Sequence, residues 1–195
     1  ELVADVVTRV DLSQRPFRVE LDGGGVFLAE SLVIATGATA RWLGLAEEER
    51  LRGRGVSACA TCDGFFFRGR EVVVVGGGNS AVEEALFLTN FASRVTLVHR
   101  RDQLRADKTN QARLFANPKV DIVWNMVVER LEASADGSGL AAVHLRDVVT
   151  GAARRLAADG LFVAIGHDPA TGLFRGQIDM DADGYILTRP DSTET

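Results

Sequence analysis

The chain has 195 residues, 46% of them hydrophobic and 25% charged, a balance ordinary for a globular protein of one or two domains. A formal charge of −5 and a pI of about 5.3 give no electrostatic footing for nucleic acid or an anionic membrane surface. No apolar run reaches the ~20 residues that cross a bilayer, no signal peptide opens the sequence, and two cysteines are too few for a secreted disulfide framework. A cytoplasmic setting is the expectation.

Taken in order, the sequence opens on Glu1 rather than a methionine and closes abruptly at Thr195, which reads as a piece excised from a larger protein. Leu2–Val10 alternates loosely and predicts a strand. Phe17–Leu21 and Val26–Ala29 flank Asp22-Gly23-Gly24-Gly25, a hairpin turn whose glycines accept positive φ. Ser31–Ala35 predicts an apolar strand running into Ala35-Thr36-Gly37. Residues 38–57 carry few periodic apolar positions, a charged run at Glu47–Arg50 and a break at Gly53-Arg54-Gly55, and read as a linker.

The centre of the chain lies beyond this. Val72–Val75 is a β-branched run short enough for a strand buried on both faces. It ends in Gly76-Gly77-Gly78-Asn79-Ser80-Ala81, a G-x-G-x-x-A turn, and an apolar-faced helix and a second strand, Val95–Val98, follow. In this setting the turn is a dinucleotide cradle. Gly76 permits the turn, Gly78 lets a pyrophosphate approach the backbone, and Ala81 lets helix and strand pack closely. The start of the helix offers N–H groups to phosphate, and Ser80 can add a hydroxyl. An NAD site places an acid at the end of the second strand, whereas this chain has His99-Arg100-Arg101 and then Arg105. Guanidinium groups suit the 2′-phosphate of NADPH.

Lys108–Ala116 then predicts a helix and Val120–Trp124 a strand. Met126–Ser134 and Leu140–Val148 pair about Asp136-Gly137-Ser138-Gly139, Arg154–Ala157 adds a short strand, and Leu161–Ile165 closes the region at Gly166-His167-Asp168-Pro169.

Cys59-Ala60-Thr61-Cys62-Asp63 precedes the cradle strand. A zinc site lacks partners, with only His99, His144 and His167 scattered elsewhere. A structural disulfide across so small a loop would stabilise by only about 2 kcal/mol. Two incidental thiols would leave the spacing unexplained. A C-x-x-C beside a βαβ unit favours a redox pair, with Asp63 placed as an acid or base or, more plainly, as a turn residue before Gly64. Hydride from a nicotinamide does not pass cleanly to a disulfide, so a flavin is implied between them.

CATCDG, GGGNSAVEEA, HRRDQLRA and LFVAIGHDP together, in this order, closely resemble the low-molecular-weight, bacterial-type thioredoxin reductases, over nearly the whole chain. The resemblance implies an α/β fold: a Rossmann-like NAD(P)-binding domain, parallel sheet plus β-meander, inserted into a split FAD-binding domain of which only pieces are present. It implies FAD-domain pieces at 1–41 and 167–195 around an NADPH-binding domain at 42–166. Gly76, Gly78, Asn79, Ser80, Ala81, His99, Arg100, Arg101 and Arg105 would bind NADPH, with Ile165, Gly166 and Tyr185 lining that site. Ala35, Thr36 and Gly37 match the flavin-side motif. Cys62 would face the flavin, Cys59 would attack the thioredoxin disulfide, and Asp63 would be the acid/base. Electrons would run from NADPH to FAD, to the Cys59/Cys62 disulfide, and to thioredoxin, in a full-length homodimer that rotates its NADPH domain about crossings at Thr39–Arg41 and Gly166–Asp168. No metal, nucleic acid or membrane partner is implied.

This chain departs from that pattern in lacking an N-terminal G-x-G-x-x-G and a C-terminal G-D segment for FAD, so the fragment is expected to bind NADPH without catalysing reduction. A peroxiredoxin-reducing flavoprotein would use NADH, against the basic His99–Arg101 run, and a dithiol oxidase would have no use for those arginines. A bare nucleotide-binding module with incidental cysteines is the non-enzyme alternative.

Overall fold

Regular structure begins at Val7. In the computed structural model, which describes residues 1–195, β1 (Val7–Asp11), β2 (Phe17–Leu21) and β3 (Val26–Ala29) form an antiparallel meander. The second connection is as tight as its glycines allow, with Gly24 at φ 81°. The strand expected at Ser31–Ala35 does not form, because no neighbouring strand lies alongside it to complete a hydrogen-bonded ladder, and Val33 is 89% exposed. β4 (Ala38–Ala40) follows.

The stretch expected as a linker is instead structured. α1 (Glu48–Leu51) and β5 (Val56–Ser57) bury Leu51 and Val56, and Trp42, Leu43 and Leu45 pack on the same core. Its apolar residues carry no period because they come from turns rather than from one long element. Glu48 is itself buried, its carboxylate accepting from the N–H groups of Leu43 (3.0 Å) and Gly44 (2.9 Å). A single helical turn, α2 (Ala60–Asp63), leads through a 3₁₀ turn at Gly64–Phe67 into β6 (Glu71–Gly76). Then come α3 (Asn79–Leu88), β7 (Arg94–Val98), α4 (Lys108–Phe115) and β8 (Val120–Val123). The hairpin-linked β9 (Met126–Ala133), β10 (Leu140–Asp147) and β11 (Ala153–Ala157) precede β12 (Gly160–Ala164) and β13 (His167–Pro169).

The chain forms two compact units, residues 1–39 with 167–195, and residues 40–166. The first holds the β1–β3 meander, and β13 pairs with β4. The second is built on a five-stranded sheet in the order β5-β12-β6-β7-β8, parallel throughout. Its two faces are both covered, which is why Val72–Val75 has no polar alternation. Val72 and Val74 point into a core shared with Ala81, Val82, Ala85 and Leu88 of α3 and Leu114 of α4. Val73 and Val75 point the other way, against Leu131, Val143 and Leu145 of the antiparallel sheet β9–β11.

The turn from β6 into α3 is the tightest packing in this unit. A Cβ added at Gly76 would lie 2.3 Å from the Ala164 carbonyl oxygen of β12 and 2.6 Å from Cβ of Ala81. Neither neighbour can swing aside. We expect Gly76→Ala to destabilise residues 40–166 by about 1–3 kcal/mol, whereas Gly78→Ala, whose added Cβ meets no atom within 4 Å, loses less. Both tryptophans, Trp42 and Trp124, lie in this unit, so urea unfolding followed by tryptophan fluorescence reads it directly. Equal midpoints for the two variants would contradict the packing argument.

Candidate functional site

The carboxyl ends of β6, β7 and β12 converge because these strands are parallel and in register: Val75 pairs with Val98 and with Val163, and Gly76 with Ala164. Gly78 is the N-cap of α3 and supplies no side-chain cap, so the first turn of the helix keeps free N–H groups. The space above Gly78 is open, and Asn79 and Ser80 are exposed beside it. Arg100, Arg101 and Arg105 are exposed at the end of β7, and none of the three guanidinium groups is hydrogen-bonded or ion-paired within the chain. Backbone ties hold this loop against the glycine turn: Arg105 N–H donates to Gly77 O (2.7 Å), and Asp107 N–H to Asn79 Oδ1 (2.7 Å). The open helix end and three unpaired cations have the donors and charge for a dinucleotide with a 2′-phosphate. Ile165, half-buried, and Gly166, at φ 116°, follow β12 at the same edge.

His99 stands apart from the arginines. Its ring is 6% exposed and turned inward, where a Cβ on Gly77 would lie 2.1 Å from its Cε1. Nε2 lies 3.0 Å from the Gln103 carbonyl oxygen. Burial pushes its pKa below the ordinary histidine value; Arg101 and Arg100 act in the same direction, and backbone bonds to Gln103 and Gly76 oppose them. A neutral ring bracing the glycine turn against the 99–105 loop is what this geometry describes.

The dithiol lies in the same unit. Cys59 and Cys62 are joined in a disulfide with their Cα atoms 5.3 Å apart. Cys59 is the N-cap of α2: its Sγ accepts from Cys62 N–H (3.2 Å) and its own N–H donates to Ser57 Oγ (3.0 Å). Cys62 is exposed, and Cys59 and Asp63 are half-buried. Asp63 and Ser57 line a cleft of about 440 Å³ with Arg54, Phe66, Arg70 and Asp159. Phe65 and Phe66, 61% and 75% exposed, extend an aromatic patch past the disulfide, with Phe65 edge-on to Phe91 and Arg68 over its ring.

One residue near the dithiol escaped the reading of the sequence. Glu84 of α3 directs its carboxyl at the N–H of Ala60, the residue after Cys59, and its Oε2 is buried with no hydrogen-bond partner. Burial raises its pKa from 4.5 to about 7, against the Ala60 hydrogen bond, which lowers it. Its spacing held the signal, since it is three residues after Ala81 and four before Leu88, both fully buried.

The remaining expected site residues belong to the first unit. Ala35, Thr36 and Gly37 are exposed and lie outside any strand, and Tyr185 is 45% exposed. The glycine-rich strand–turn–helix cradle occurs once, at β6–α3, so these residues do not build a second cradle for the FAD pyrophosphate.

A family model described as pyridine nucleotide-disulphide oxidoreductase matches residues 1–194. The chain belongs to this family. Among relatives, the thioredoxin reductases of Rickettsia conorii and Streptomyces clavuligerus are 54% and 50% identical over 195 residues. The match covers all of this chain and 63% and 60% of theirs, so it spans about three-fifths of the length of these relatives. The solved thioredoxin reductase of Lactococcus lactis is similar with a TM-score of 0.83 and 37% identity over 95% of this chain and 60% of that one. That of Giardia duodenalis gives 0.84 and 38% over 98% and 62%.

Within this family member, Glu84 has a measurable consequence for stability. Its proton is held more tightly in the folded than in the unfolded chain, so its contribution is fully present below pH 4.5 and is lost as pH rises through about 7. Glu84→Gln cannot ionise. Its Tm relative to the parent is therefore expected to rise between about pH 5 and pH 8, by an amount on the order of 1 kcal/mol after solvent screening, or roughly 2–4 °C. Calorimetry at the two pH values checks this, and a difference that stays constant would place the carboxyl in contact with solvent.

Proposed function

We propose that the full-length protein is an NADPH-dependent thioredoxin-disulfide reductase, and that residues 40–166 carry both its nucleotide site and its dithiol. The observation that carries the reading is the Cys59–Cys62 disulfide on α2, which packs against α3, the helix whose first turn faces the open end of the glycine cradle. The relatives named thioredoxin reductase support the same assignment. The net reaction balances as NADPH, a proton and a protein disulfide giving NADP⁺ and a protein dithiol. When bound, a flavin would accept the hydride and deliver two electrons to sulfur; these residues alone do not build its site, and we take FAD to be held by the full-length protein.

Each residue of this chain then has a task. The N–H groups at the start of α3 hold the pyrophosphate across the space above Gly78, with Asn79 and Ser80 beside it, while Gly76 and Ala81 let the turn pack. Arg100, Arg101 and Arg105 receive the 2′-phosphate, His99 braces the turn behind them, and Ile165 and Gly166 line the nucleotide. Cys62 takes electrons from the flavin side, and Cys59 attacks the partner disulfide with Asp63 as proton donor and acceptor. The exposed Phe65–Phe66 patch beside the sulfurs suits a protein substrate, which we take to be thioredoxin. A homodimer in the reducing cytoplasm completes the proposal, and the free cations disfavour an NADH-using relative.

Two measurements test it. For the 195-residue chain, Arg100→Ala with Arg101→Ala is expected to weaken NADPH binding by at least about tenfold and NADH binding far less. Fluorescence titration with both coenzymes reads this, and equal losses would remove the 2′-phosphate assignment. In the full-length protein, anaerobic NADPH is expected to expose two alkylatable thiols, a gain absent from Cys59→Ser, where the Cys62 thiol is free before any NADPH is added. No gain of thiols with the wild type would leave a nucleotide-binding module without a relay.

A further inference from the structure

Arg105 is presented by a segment without regular secondary structure, between β7 and α4. Leu104 and Ala106, on either side of it, are buried in the core that α3 and α4 share, and the alternation turns Arg105 out to solvent. Outside a helix or sheet, the carbonyl oxygens of such a segment need partners of another kind. No backbone N–H reaches those of Leu104 and Ala106. Gln111 of α4 supplies what is missing. Half-buried in the first turn of the helix, it reaches back so that Nε2 donates to Ala106 O (2.6 Å) and, over a longer and weaker contact, to Leu104 O (3.4 Å). Both neighbours are acceptors, so only the NH2 end of an amide fits there. A glutamine on a helix is ordinarily a solvated side chain; this one takes the two carbonyls that flank Arg105.

We infer that Gln111 is a positioning residue that sets the coenzyme preference: its amide fixes the backbone on both sides of Arg105 and so holds that guanidinium ready for a 2′-phosphate. The inference rests on the proposed function in taking Arg105 as a ligand of that phosphate. The other bonds of the loop do a different job. Arg105 N–H to Gly77 O and Asp107 N–H to Asn79 Oδ1 tie it to the glycine turn, which serves the pyrophosphate that NADPH and NADH share. Asn110, beside Gln111, donates to Asp107 Oδ2 and Glu83 Oε1 and joins the start of α4 to α3. Gln111 is the side chain that braces the carbonyls at Arg105 itself. A backbone already fixed leaves less conformational freedom to be lost when the anion arrives. That benefit falls to the coenzyme that carries the 2′-phosphate and not to the one that lacks it.

The test titrates the 195-residue chain with NADPH and with NADH, read by fluorescence, as wild type, Gln111→Met, Gln111→Ala, Arg105→Ala, and Arg105→Ala combined with Gln111→Met. Methionine keeps the length of the side chain, alanine suits a helix, and neither can donate. We expect either change at Gln111 to weaken NADPH binding by about threefold or more and NADH binding far less. In the Arg105→Ala background, Gln111→Met is expected to have no further effect on NADPH. A role in packing alone would weaken both coenzymes by one factor, or act in the alanine variant and not in the methionine one, and either result overturns the inference. So does an effect of Gln111→Met that persists without Arg105. Should Gln111→Met not fold, Gln111→Ala takes its place throughout the series. Full NADPH preference in both Gln111 variants, with its loss in Arg105→Ala, would overturn this inference and leave the reductase reading intact. A wild-type chain that binds both coenzymes equally would remove the 2′-phosphate site and the inference with it.

Discussion

The second unit depends on one strand being covered on both faces. β6 lies between β12 and β7, and its valines alternate between the helix layer and the β9–β11 sheet. With both faces buried, the side chains pack by shape alone, and β-branched residues fill a pleated interior well. Because β12, β6 and β7 run parallel and in register, their carboxyl ends emerge together. Those ends deliver the glycine turn, the His99–Arg101 segment and Ile165–Gly166 to one edge of the sheet, where open α/β sheets bind ligands.

At that edge, some charges are neutralised and others are left free. His99, against Gly77 and the Gln103 carbonyl, is held below its ordinary pKa by burial, so a neutral ring can stay in the packed layer behind the loop. Arg100, Arg101 and Arg105 have no carboxylate within reach, although Arg94 a few residues earlier is paired with Asp121. A cluster of unpaired like charges brings nothing to stability, since its members repel one another. Rigid placement of such a cluster, by the bonds from Arg105 to Gly77 and from Asp107 to Asn79, makes sense for a multiply charged anion arriving from solvent.

Much of this could be read from the residues, and the exceptions have physical causes. The β6–α3–β7 unit was legible because its strands are short β-branched runs and its turn is glycine-rich; the β9–β10 hairpin was marked by Asp136–Gly139. Residues 38–57 misled because period is a property of long elements, and Trp42, Leu43, Leu45, Leu51 and Val56 reach one core from separate short ones. Ser31–Ala35 misled in the opposite sense, since an apolar run specifies a strand only where another strand can bond to it. Glu84 was hidden by its chemistry: an acid next to Glu83 on a helix reads as a solvated pair, and only its register with Ala81 and Leu88 sets the two apart.

That register bears on why the dithiol precedes β6. α3 meets the open cradle through its first turn and, farther along, packs against α2, the turn that carries the dithiol. An apolar residue at position 84 would suit the surrounding Ala81, Ala85 and Leu88 better, since the present side chain leaves a buried oxygen unbonded. Local rules of packing are broken in native proteins chiefly where a site requires it. Here the break falls on the helix that opens on the glycine cradle at one end and packs against the sulfur-bearing turn.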